Sequence, residues 1–170
     1  MKLRTADVND ARAIAEVHVL AWQHTYRGLL PQDFLDGLSI ERREAMWSSS
    51  LATGEKSTLI AEVNDRIVGF SAFGRCRDDD AQSTDYEIWA IYVAPDHWST
   101  GVGRLLWLKS RDAMVVQGAN RISLWVMAGN ERAIRFYTAA GFQQEPGSVK
   151  MVEVGGVQVY ETRYVLQDGA

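Results

Sequence analysis

The chain has 170 residues, enough for one domain whose core needs no disulfide or metal staple. Hydrophobic residues make up 46% and charged residues 24%, which is globular usage and argues against a disordered chain. A formal net charge of -4 disfavours a dedicated nucleic-acid binder, and no apolar run is long enough to span a bilayer.

The start carries no apolar signal region, and the lone cysteine, Cys76, has no internal partner, so the expected compartment is the cytoplasm. Residues 1–170 read as one domain with no repeat or linker. Lys2–Thr5 is short and extended. Asp7 can cap a helix over Val8–Arg27, with Ile14, Val17 and Ala21 at helical spacing and Gly28 as its stop. Pro31 suits the first turn of a second helical piece, and Ser39 precedes a third, IERREAMWSSSLA. The period then changes. Ser57–Val63 and Ile67–Gly74 read as strands joined at Asn64-Asp65, a hairpin turn without the usual glycine. Asp78–Asp80 is a charged loop, solvated by default. Tyr86–Val93 is a strand rich in aromatic and branched residues, stopped by Pro95. Gly101–Gly118 reads as a helix, Arg121–Val126 as a buried strand, and Asn130–Ala140 as a helix ended by Gly141. Val149–Val154 and Val157–Val165 flank Gly155-Gly156 as a final hairpin. Hairpins beside strand–helix–strand crossovers predict an α/β fold with a mixed sheet and helices on both faces.

The most informative segment runs from Ile91 to Leu106, a strand followed by a two-glycine turn and an apolar helix. The first N–H groups of a helix have no intrahelical partner, and Gly101 and Gly103 let an anion approach them closely. The helix dipole adds to the attraction, and Arg104 in the first turn is a candidate phosphate contact. The turn is not a P-loop, because no Gly-Lys-Ser/Thr follows. Leu106 stands where a dinucleotide fingerprint has its third glycine.

Trp98-Ser99-Thr100-Gly101-Val102-Gly103, after Val93-Ala94-Pro95, resembles the acyl-CoA motif of the GNAT superfamily of N-acyltransferases, Arg/Gln-x-x-Gly-x-Gly/Ala. Trp98 replaces the usual Arg or Gln, and the backbone donors do not depend on that side chain. Asn130-Glu131-Arg132-Ala133-Ile134-Arg135-Phe136-Tyr137 with Gly141-Phe142 resembles the family's second segment, Asn-x-x-Ala-x-x-Phe/Leu-Tyr-x-x-x-Gly-Phe. The resemblance covers residues 2–166 and is strongest over 86–142.

This resemblance implies a mostly antiparallel sheet whose central parallel strands, Tyr86–Val93 and Arg121–Val126, splay apart around acetyl-CoA. Its pantetheine arm would pair with Ile91, Tyr92 and Val93, one of whose N–H groups would stabilise the developing oxyanion, worth roughly 3–4 kcal/mol. The diphosphate would rest on the amides of Trp98, Ser99, Thr100, Gly101, Val102, Gly103 and Arg104. Tyr137 would lie against the cofactor near its sulfur and protonate the departing thiolate, since a phenol with a pKa of about 10 stays protonated at neutral pH. Asn130 would contact the cofactor, cap its helix, or do both. Glu87 would accept the amine proton through water. Trp22, Tyr26 and Phe34 would wall the acceptor pocket. Trp107 and Trp125 are simplest as packing residues, and His18, His24 and His97 have no metal-like pairing.

The expected activity is acetyl transfer from acetyl-CoA to a primary amine of a small molecule, by direct attack in a ternary complex and without a metal. The alternatives are a peptide or protein N-terminal or lysine acetyltransferase, and a non-catalytic acyl-CoA-binding module. The expected partners are the small amine and, through an exposed final strand, a second copy of the chain; nucleic acid and membrane are not expected.

Overall fold

The computed structural model describes residues 1–54 and 56–167. In chain order these form β1 (Lys2–Thr5), α1 (Ala11–Thr25), α2 (Gln32–Asp36), α3 (Ile40–Thr53), β2 (Ser57–Val63), β3 (Arg66–Arg75), β4 (Asp85–Val93), α4 (Val102–Val116), β5 (Arg121–Met127), α5 (Glu131–Ala139), β6 (Gln143–Val154) and β7 (Val157–Gln167). The seven strands form one sheet in the order β1-β2-β3-β4-β5-β7-β6. Every neighbouring pair is antiparallel except β4 and β5.

Local chemistry explains the boundaries. Asp7 accepts from the Asn9 N–H and Asp10 accepts from the Asp7 N–H, a reciprocal cap over the 3-10 turn Val8–Asp10. The α-helix proper therefore begins at Ala11, three residues later than the sequence pattern predicts. Pro31 precedes α2 as its cap residue and does not sit in its first turn. Ser39 caps α3 by accepting from the Arg42 N–H. Asn64 and Asp65 both take positive φ (50° and 58°), so this pair makes the tight β2–β3 turn without a glycine. The largest departure is β6, which starts at Gln143, six residues before the expected Val149. Pro146 and Gly147 hide it, and its register with β7 slips between Gln144 and Val149. The last strand, β7, lies between β5 and β6, so it is not the exposed edge that the sequence reading assigns to pairing between copies; β6 is that edge.

Helices cover both faces. Ile14, Ala15 and Trp47 of α1 and α3 pack on Ile60, Phe70 and Ala72. On the other face Val102 and Leu106 of α4 pack on Ala61, Val68 and Val93. Trp107 and Met114 of α4, with Tyr137 and Phe142, close a core over Ile88, Ile122 and Leu124. Burial of these side chains at about 25 cal/mol per Å² is the main stabilising term. Asp78 and Asp80 are not a free acidic cluster: Arg163 of β7 pairs with both, and with Glu145. The loop before β4 is thereby tied to β7, across β5.

Candidate active site

The site is created where the sheet parts. β4 and β5 pair at only three positions, Asp85↔Arg121, Tyr86↔Ile122 and Glu87↔Ser123. Beyond Glu87, β4 stays with β3 and β5 stays with β7, and a gap opens between them. A bulge at Trp89 sets which groups of β4 face that gap, because Ala72 pairs with Ala90 while Phe73 pairs with Ile88. Before the bulge the Asp85 carbonyl faces β3, accepting from the Cys76 N–H. After it the Ala94 N–H faces β3, donating to Val68 O at 2.8 Å. By the two-residue alternation of a strand, Ala90 and Tyr92 then bond β3, while Ile91 and Val93 turn their backbone groups into the gap. The Val93 carbonyl confirms the phase, since the Trp98 indole N–H reaches it at 2.7 Å. Of the three β4 residues expected along the cofactor arm, Tyr92 offers its side chain and not its N–H.

The 98–104 turn stands at the open end of the gap. Ser99 (φ 61°) and Gly101 (φ 91°) take left-handed backbone, and Gly101 precedes α4 directly. The Trp98 N–H, expected among the diphosphate donors, is spent on Pro95 O at 3.2 Å as it closes the 3-10 turn, but among the described residues none of the N–H groups from Ser99 to Arg104 has an acceptor, while Leu105 N–H already bonds Gly101 O. Left-handed residues beside helical ones turn successive amides to one side and form an anion-binding concavity. Such a concavity can hold an anion such as a diphosphate. Thr100 spends its hydroxyl on His97 O at 2.7 Å, and the Val102 side chain is buried against α4's core partners, so both offer only backbone. Arg104 is exposed on the first turn.

The gap leads into a cleft of about 340 Å³, lined among others by Trp22, Tyr26, Glu87, Ile91, Trp98, Gly103, Asn130 and Tyr137. Asn130 caps α5, its Oδ1 accepting from the Ala133 N–H at 3.2 Å. Its amide nitrogen has no protein partner among the described residues, so it can serve a ligand as well. Tyr137, on the inner face of α5, is 8% exposed and its hydroxyl bonds no described residue. Burial raises its pKa above the ordinary phenol value, with Tyr92 adding to the effect, so it stays protonated. Below the gap the Tyr26 and Tyr92 hydroxyls meet at 3.2 Å, and burial raises both pKa values.

Glu87 sits at the closed end of the gap, 3% exposed. Arg77 holds it with three donors: Nη2 to Oε1 at 2.6 Å, and Nε and its backbone N–H to Oε2 at 3.0 and 3.2 Å. A carboxylate has about four acceptor directions, so roughly one remains. Phe34 does not line the cleft. It packs with Tyr26, Leu35, Met127 and Val154 and meets the β6–β7 turn, where a Cβ on Gly155 would lie 2.5 Å from its ring. It supports the wall from behind.

Several lining residues have no motif to announce them. Arg77, Trp89, Trp125, Arg132, Lys150 and Glu161 come from six different elements or loops. Trp125, expected as simple packing, turns its indole N–H to Asp78 and carries Lys150 on its ring at 3.9 Å. Cys76 stays out of the cleft lining, and burial pushes its thiol pKa up, which suits a bystander.

The comparisons with known proteins agree with this geometry. The model of the acetyltransferase (GNAT) family matches residues 19–142. An uncharacterized N-acetyltransferase of Bacillus subtilis is 30% identical over 94% of this chain and 88% of its own. A spermidine N(1)-acetyltransferase of Thermoplasma acidophilum is 22% identical over 85% of this chain and 89% of its own. A candidate acetyltransferase of Salmonella typhimurium, solved with acetyl-CoA, superposes with a TM-score of 0.74 at 25% identity, covering 98% of this chain and 92% of that one. A parted sheet, an amide-lined turn and a buried tyrosine, in a chain with these relatives, place it in the GNAT acetyltransferase family as an acetyl-CoA-dependent N-acetyltransferase.

Proposed function

We propose that the protein acetylates a primary amine of a small molecule by direct attack on the thioester of acetyl-CoA. Acetyl-CoA supplies the activated acetyl group. The amides from Ser99 to Arg104 hold its diphosphate end, and the Ile91 and Val93 backbone, which faces the gap, pairs with its pantetheine arm. Val93 is nearer the 98–104 turn, so Ile91, deeper in the gap, is the N–H that stabilises the oxyanion. Tyr137 donates its proton to the departing thiolate. Glu87 accepts the amine proton through a water at its one open acceptor direction. No described side chain in the cleft is a suitable covalent nucleophile, which favours a ternary complex.

The size of the acceptor follows from the wall. Behind the lining residues, Phe34 of α2 packs on Gly155 of the β6–β7 turn and backs the acceptor wall, which supports a recess of limited size. A pocket of this kind favours a small amine over a peptide, and its aromatic lining by Trp22 and Tyr26 suits an ammonium or an apolar stem. The Thermoplasma spermidine acetyltransferase acts on an amine of that size class. The observation that carries the reading is the unpaired β4 edge running from the amide-lined turn to Tyr137.

The test is a panel of amino acids, polyamines, amine-bearing antibiotics and short peptides, followed by thiol release from acetyl-CoA. Turnover confined to small amines is the expected result. Turnover confined to peptides overturns the acceptor class, and tight acetyl-CoA binding without turnover on any amine overturns the enzyme reading.

A further inference from the structure

We propose that Arg132, seated over the ring of Trp98, supplies the side-chain cation that grips the diphosphate of coenzyme A, in place of the motif's missing arginine or glutamine at position 98. This inference rests on the acetyl-CoA reading above.

The seat is rigid. Trp98 is pinned by its indole N–H to the Val93 carbonyl at 2.7 Å, and the Arg132 guanidinium carbon lies 3.3 Å from the Trp98 ring centroid. A guanidinium held over a ring in this way leaves N–H groups free, and its fork of donors matches two phosphate oxygens at once. The place is right as well. Trp98 opens the turn whose amides from Ser99 to Arg104 have no acceptor among the described residues, and both residues line the cleft.

The charge balance points the same way. Three cations line the cleft. Arg77 is paired with Glu87, and Lys150 with Glu161. Arg132 has no carboxylate or hydrogen-bond partner among the described residues. It also stands in the first turn of α5, where a cation opposes the helix dipole. Although Arg132 is exposed overall, desolvation of its guanidinium works against its charge too, lowering its pKa. A cation placed against its dipole, partly desolvated and unneutralised gains from a bound anion. The sequence expectation of Arg104 as the phosphate contact is thus joined by a second arginine that the motif leaves unspecified.

Calorimetry on the full chain tests this with coenzyme A and with dephospho-coenzyme A, which keeps the diphosphate but lacks the 3′-phosphate. The variants are Arg132→Gln, Arg135→Gln, Trp98→Ala and the Trp98→Ala/Arg132→Gln double. Arg135 is exposed on the same helix and controls for loss of one positive charge. The expected result is a loss of tenfold or more for Arg132→Gln with both ligands, and a change within twofold for Arg135→Gln. The double variant should be no weaker than the worse single variant. Coenzyme A affinity of Arg132→Gln within twofold of the parent overturns the proposal. A loss seen with coenzyme A alone moves Arg132 to the 3′-phosphate and overturns the diphosphate assignment. Additive losses in the double variant overturn the role of Trp98 as the seat. No heat with the parent protein removes the acetyl-CoA reading itself, a failure distinct from the other three.

Discussion

The imidazole of His18 lies against the ring of Tyr92, their centroids 5.2 Å apart and their planes 19° from parallel. The Trp47 indole N–H donates to His18 Nδ1 at 3.1 Å, so the neutral ring carries its proton on Nε2. A buried core histidine therefore floors the cleft beneath a tyrosine that lines it. Burial lowers its pKa to about 3, with Arg43 and Lys56 adding repulsion. In the unfolded chain an imidazole takes up a proton near pH 6.5. Between these two values the unfolded state binds the extra proton. This contribution to stability is therefore complete above about pH 6.5 and declines on acidification, by about 1.4 kcal/mol per pH unit. Urea unfolding at pH 7.5 and 5.5 should show a loss of about 1.4 kcal/mol. His18→Gln should flatten the profile over that range.

The role proposed for the Tyr137 hydroxyl is proton donation, with the ring supplying the contact to the cofactor. Tyr137→Phe keeps the ring contacts with Phe136 and Phe142 and removes only the hydroxyl. Coenzyme A affinity by calorimetry should stay within about twofold, while kcat should drop about 100-fold, the scale of a lost general acid. Equal losses in affinity and turnover would assign the hydroxyl to cofactor binding instead.

Glu87→Gln tests the proposed role of Glu87 as proton acceptor at the closed end of the gap. The rate at pH 7 should fall about 100-fold and then rise steeply with pH, as more of the amine arrives already neutral. The parent should reach its plateau at lower pH. A variant profile parallel to the parent's would reduce Glu87 to an anchor for Arg77.

Arg163 binds Asp78, Asp80 and Glu145 together, and Asp78 also accepts from the Trp125 indole N–H. Removing Arg163, itself buried, leaves the partly buried Asp78 and Glu145 uncompensated, whereas Asp80 is exposed and water can solvate it. Arg163→Met should cost on the order of 3 kcal/mol in urea unfolding at pH 7. A cost below about 0.5 kcal/mol would show that the network behaves like an exposed salt bridge.

The two motif segments were legible in the sequence because their chemistry is local. Gly101, Gly103 and Pro95 constrain backbone directly, and Asn130 to Phe142 places its cap, inner face and stop within one helix. Strand ends set by a turn, such as Val63 and Val154, were equally readable. The rest depends on chain-distant convergence. Nothing near Arg77 announces that Glu87 will lie within 2.6 Å, and nothing near Arg132 points to Trp98. Pro146 and Gly147 masked the start of β6, because neither residue favours a strand interior. Phe34 was readable as part of the wall but not as its outer layer, since that depends on where the Gly155 turn lands. The backbone phase of Tyr92 was unreadable because one extra residue upstream decides it.

That extra residue, Trp89, has a consequence for how this strand can vary. The half of β4 before it and the half after it are out of step with each other, like two lengths of ribbon joined with a flip. Gaining or losing one position between 86 and 90 would aim the neighbouring set of amides at the thioester, whereas swapping one aliphatic side chain for another leaves the aim untouched. The length of this strand is therefore a stricter requirement than its composition.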